Sequence, residues 1–201
     1  MPVQIGAQAH SFSDPTGLLS DCHRRIEMFL GCLQAVATIL DRPQSEQTRT
    51  ALDSALRYFR EAAPKHNADE EESLFPRLRK TGDPRAESVL ARLTALEDEH
   101  RRAVLLHEKV DQLGRKYLST KALSASEIAA FRESVDHLVS MYRQHIALED
   151  EVVFPCAAQV LSSADKAAIA MEMAGRRNLS TSTLPDPKAA LLDSGPCKAG
   201  R

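Results

Sequence analysis

Apolar residues recur at three- and four-residue steps along most of this chain, and nowhere do they alternate with period two over the length of a strand. Leu18, Leu19, Cys22, Ile26, Phe29, Leu30, Leu33, Val36, Ala37 and Leu40 mark one face of a first helix. Asp14-Pro15 opens it, an N-cap followed by proline at the first helical position. Arg42-Pro43 breaks it, and Ser45 can cap a second helix with Leu52, Leu56, Phe59, Ala63 and Leu74 turned inward. Pro64 lies inside that helix, where its missing donor predicts a local bend. Gly82 stops the second helix and Asp83-Pro84 starts a third, in phase through Val89, Leu93, Leu96, Val104, Val110 and Leu113 to about Tyr117. Ser124-Ala125-Ser126-Glu127 has the form of a capping box and opens a fourth. A short fifth helix is predicted from Ser162 to about Met173. Four long amphipathic helices with short connections predict an all-α fold: an antiparallel up-down four-helix bundle over residues 14–160 with a short extra C-terminal helix over 161–175. A loose arm (1–13) and a disordered tail (176–201) flank them.

The apolar faces carry ionisable groups in a repeated order. His66-Asn67-Ala68-Asp69-Glu70-Glu71-Glu72-Ser73-Leu74-Phe75-Pro76 reads H-x3-E, acids, then Phe-Pro. His145-Ile146-Ala147-Leu148-Glu149-Asp150-Glu151-Val152-Val153-Phe154-Pro155 reads the same way. Four residues of helix turn about 400° and rise about 6 Å, so each His and its Glu stand on one face. A lone His followed by two arginines lies upstream of each copy: His23 is 43 residues before His66, and His100 is 45 before His145. The chain is two copies of one unit, which predicts a two-fold-symmetric site.

Composition removes several alternatives. At 201 residues the chain is long enough for one full core, and a net charge of −2 gives no electrostatic reason to expect nucleic acid or membrane as a partner. Aromatics are 4%, too few to stack bases. Cys22, Cys32, Cys156 and Cys197 are scattered, matching neither a zinc ribbon nor a disulfide framework. With no signal peptide or membrane span visible, a cytoplasmic location is expected.

The candidate metal ligands are therefore His23, His66, Glu70, His100, His145 and Glu149. Buried carboxylates are costly unless paired or metal-bound, so a metal centre accounts for what a plain core cannot. Imidazole and carboxylate without thiolate suit iron or manganese, with zinc possible. Six ligands exceed the four of a structural zinc and suit two ions, two His on each and both Glu bridging. That leaves open positions for a solvent bridge and a small diatomic. Glu71 and Glu72 are read as a solvated acidic run. His107 and His137 are read as core-edge histidines, Tyr142 as a boundary tyrosine and Cys22 as a small buried hydrophobe. The ferritin-type di-iron motif, Glu-x-x-His, is not met.

These residues, from about 14 to 160, resemble the hemerythrin family, the HHE cation-binding domains. The resemblance implies a four-helix bundle with a non-haem di-iron centre, carboxylate-bridged, that binds or reacts with O2, NO or peroxide. It implies that His23, His66 with Glu70, His100, and His145 with Glu149 are the ligands. Oxygen-carrying members have H-x3-H on the third helix, where this chain has Val104. Four histidines resemble more closely the members that donate iron for iron–sulfur cluster repair under nitrosative or oxidative stress, which is the alternative function.

Overall fold

The computed structural model describes residues 10–179. Most of the loose arm expected over 1–13 and most of the tail expected over 176–201 lie outside the described residues. Helix α1 is Pro15–Ala37, α2 Glu46–Glu61, α3 Ala63–Ala68, α4 Phe75–Lys80, α5 Glu87–Thr120, α6 Ala125–Leu148, α7 Phe154–Val160 and α8 Ser163–Arg176. No strand occurs among the described residues, and none of these helices is long and apolar enough to cross a membrane.

Local chemistry sets the ends. Asp14 accepts from the Gly17 N–H at 3.0 Å, and Ser45 accepts from the Thr48 N–H at 3.1 Å. Ser124 and Glu127 form the reciprocal capping box. The first helix ends at Ala37, three residues before the expected Leu40, in a run of turns. The third helical segment starts with one 3-10 turn, Pro84–Ala86, and runs past Tyr117 to Thr120. It stops because Lys121 turns left-handed at φ 60° and returns its N–H to the Tyr117 carbonyl. A Cβ is unfavourable there, so Lys121→Gly is expected to stabilise the fold by about 0.5–1 kcal/mol. Paired thermal melts check it; an unchanged or lower Tm counts against it.

α1 packs on α2, α2 on α5, α5 on α6 and α6 back on α1, which closes a four-helix bundle. α8 lies across one end, against α1 and the segment between α3 and α4. The second helix divides at Ala62, two residues before Pro64, as the missing donor predicts.

Two turns depart from the regular helix expected. Asp69–Leu74 and Glu149–Val153 are π-helical, with the Phe75 N–H bonded to the Glu70 carbonyl and the Phe154 N–H to that of Glu149. The cause is the Phe-Pro pair that closes each copy. Pro76 and Pro155 cannot donate, and their rings would strike the carbonyl four residues back. A wider turn before each proline relieves both problems, and such turns often sit at functional sites.

The core is split in two. Ile26, Leu30, Leu52, Phe59, Val110, Phe131 and Leu138 belong to one apolar cluster, and Leu19, Leu74, Phe75, Leu93, Leu96, Val153 and Phe154 to the other. On α1 the boundary falls between Leu19 and Ile26, and on α5 between Leu96 and Ala103. His23 and His100 occupy that boundary.

Candidate metal centre

The polar layer between the two clusters brings all six candidate ligands together. His23, Glu70 and Glu149 are fully buried, and His66, His100 and His145 are at most 4% exposed. Two four-residue groups form, His23–His66–Glu70–Glu149 and Glu70–His100–His145–Glu149. Within each, one donor atom per residue lies within 4.8 Å of the rest. Both carboxylates belong to both groups.

The shortest approaches point inward. His23 Nε2 is 3.1 Å and His145 Nε2 3.2 Å from Glu149 Oε2. His66 Nε2 is 3.2 Å from Glu70 Oε1, and His100 Nε2 is 3.4 Å from Glu70 Oε2. Yet neither oxygen of Glu70 or Glu149, nor His23 Nε2, has an aligned hydrogen-bond partner. Buried polar atoms without partners are costly, and a cation at the centre would satisfy all of them. His100 Nε2 and His145 Nε2 stand 3.0 Å apart. Two nitrogens bound to one ion at about 2.1 Å and at a right angle are separated by about that much. The donors present therefore fit a metal pair.

The outer nitrogens are held by acids. His23 Nδ1 is 2.9 Å from Asp150 Oδ1, His100 Nδ1 2.7 Å from Glu71 Oε1, and His145 Nδ1 2.9 Å from Glu99 Oε2. Arg24 and Ser20 in turn bond Asp150. Such contacts fix the tautomer that leaves Nε2 free to bind a metal. The expectation of a solvated Glu71 is corrected here: it is half-buried and grips His100 across the helix interface. Glu72 pairs with Arg176 at 2.9 Å. Arg176, expected in the tail, ends α8 instead, and with Arg177 it neutralises the fully buried Asp69 at 2.9 and 2.6 Å. That clasp fixes the π turn that carries Glu70.

Protonation follows from this crowding. Burial raises the Glu70 pKa well above normal, with Glu149 and Asp69 adding to it. Burial also pushes Glu149 up, but the adjacent His145 and His23 outweigh it and hold Glu149 ionised. Burial works against the charged forms of His23 and His145, yet their carboxylate neighbours win and raise both pKa values. His66 has no such neighbour on Nδ1, and burial lowers its pKa well below normal. Glu70, His23 and His145 thus favour their protonated forms, and a pair of cations would displace those protons.

His107 and His137 belong to neither group. His137 is exposed. His107 stacks on Phe59 at 4.2 Å, meets the Tyr142 hydroxyl at 3.2 Å through Nε2, and has its pKa lowered to about 4 by burial. Both His107 and Tyr142 line a cavity of about 560 Å³ between α2–α3 and α5. Val104, in phase with the core face by its spacing, is exposed instead and lines the cavity, and His100 alone of the six candidate ligands reaches it. The boundary tyrosine is therefore a cavity residue, its ring 6.2 Å from that of His145.

The model of the family described as hemerythrin, HHE cation-binding domain, matches residues 14–157. An uncharacterized protein of Haemophilus influenzae is 25% identical over 180 residues, covering 89% of this chain and 99% of that protein.

Proposed function

The chain belongs to the hemerythrin family of HHE cation-binding domains, and from that premise we propose that it holds two iron ions and binds or reacts with O2, NO or peroxide there. One observation carries the reading: two donor groups share two buried, unpartnered carboxylates. His23 and His66 would hold one ion, His100 and His145 the other, and Glu70 and Glu149 would bridge. Four imidazoles and two carboxylates without thiolate favour iron over zinc. Bound there, such a pair supplies up to two electrons and open positions for a small ligand.

The chain's own residues do the rest. Asp150, Glu71 and Glu99 orient three imidazoles and keep their Nε2 lone pairs turned inward. The apolar clusters above and below the layer exclude water from it. In its Nε2–H tautomer His107 donates to the Tyr142 hydroxyl, which then keeps its own proton to give within the cavity that both residues line. The cavity gives a small molecule its route.

Protein purified anaerobically from iron-replete cells should contain two irons per chain and gain near-ultraviolet and visible bands on exposure to O2. Zinc alone, or no metal in a folded protein, would sink the reading. Val104→Trp, at an exposed position that lines the cavity, should slow azide binding to the ferric protein at unchanged iron content. Unchanged rates would mean that small molecules enter elsewhere.

A further inference from the structure

We propose that the two metal positions are unequal: His100–His145 holds its metal the more tightly, and His23–His66 gives its metal up first. This rests on the two-metal reading above. The bridging carboxylates are common to both positions, so any difference must come from the imidazoles and what stands behind them.

Behind His100 and His145 stand Glu71 and Glu99, at 2.7 and 2.9 Å from the Nδ1 atoms. Behind His23 stands Asp150 at 2.9 Å. Behind His66 there is nothing among the described residues: its Nδ1 is buried without a partner. A carboxylate on the outer nitrogen fixes the ring and makes the inner nitrogen a stronger donor, and its loss costs about 10–100-fold in metal affinity. One position has two such supports and the other has one.

The repeat shows where the symmetry breaks. Asp150 follows Glu149 and reaches across to His23 of the first half. Glu71 follows Glu70 and reaches across to His100 of the second half. That rule holds in both copies. Glu99 precedes His100 and supports His145, but the residue preceding His23 is Cys22. A thiol is a weak acceptor where a carboxylate is a strong one, so His66 is left without the support its counterpart has. Access predicts the opposite order of release: His100 lines the cavity, so a position emptied by the easiest route out would be its own. The order of loss therefore separates the two causes.

The test is release of iron from protein loaded anaerobically with two Fe(II), mixed with excess ferrous chelator and followed by absorbance. The wild-type protein should lose its irons in two phases of equal amplitude, with rates about 10–100-fold apart. Glu99→Cys, which copies the first half into the second, should bring the slow phase close to the fast one. Glu99→Ala should do the same, which sets aside any new thiolate ligand. Asp150→Asn should accelerate only the fast phase. Thermal melts of each variant confirm folding. A single phase in wild-type protein with two irons would overturn the proposal, as would Glu99 variants that speed the fast phase and spare the slow one. Wild-type protein that takes up fewer than two irons would instead sink the two-metal reading itself.

Discussion

Glu70→Gln protein is expected to hold at most one iron per chain and, stripped of metal, to melt above the wild-type apoprotein. Glu70 is fully buried, both its oxygens lack partners, and burial beside Glu149 and Asp69 raises its pKa well above the ordinary 4.5. Gln has the same shape without the ionisable group. The direction with pH follows by linkage. Above pH 4.5 the unfolded chain gives up the Glu70 proton while the folded chain keeps it, so stability falls as pH rises toward the folded pKa. Gln has no proton to give up in the unfolded chain and escapes that loss. The advantage should be present at pH 7 and shrink toward pH 4.5. Glu149→Gln should bring no such gain, because His145 and His23 hold that carboxyl ionised and would lose their partner. Melts in chelator at pH 7 and pH 5, beside metal analysis, decide it. Equal melting of Glu70→Gln and wild type at pH 7, or two tightly held irons in the variant, would refute the argument.

That a side chain can be worth more to the site than to the fold explains why the six candidate ligands stood out in the sequence. His23, His66, Glu70, His100, His145 and Glu149 occupy faces that periodicity assigns to the core, where a charge has no ordinary place. The bundle was legible for the same reason, and the caps at Asp14, Ser45 and Ser124 were read from residues that act locally. What escaped depends on neighbours that one helix does not reveal. Glu71 turns away from the His66 face of its own helix, and only the packing of α5 alongside brings His100 to it. The acid one residue after the Glu in both copies was the available signal, since Asp150 does the same for His23. Asp69 has no role that spacing along its own helix assigns, and α8 folds back to bury it under Arg176 and Arg177. The π turns escaped because a hydrophobic period cannot resolve one extra residue, although Phe-Pro after each acidic run marks their cause.

Fe(II) added to the metal-free protein should raise its Tm by about 10 °C at neutral pH, and by less as the pH is lowered. A ligand at a thousand times its dissociation constant stabilises the folded state by about 4 kcal/mol, and each kcal/mol moves a domain of this size by about 2–4 °C. The pH dependence comes from the protons that metal must displace. His23 and His145 have raised pKa values because Asp150, Glu149 and Glu99 favour their charged forms over the opposing effect of burial. In the apoprotein those interactions contribute stability that is full below pH 6.5 and is lost as pH rises through the folded pKa values. A metal needs the neutral rings, so its contribution has the opposite sign and grows with pH. Acidification therefore strengthens the apoprotein's own contacts while weakening the metal's hold, and the two melting curves should converge. A metal-induced rise of equal size at pH 7.5 and 5.5 would mean that these histidines are not the ligands. No rise at any pH would mean that the buried layer is a hydrogen-bonded core and not a metal centre.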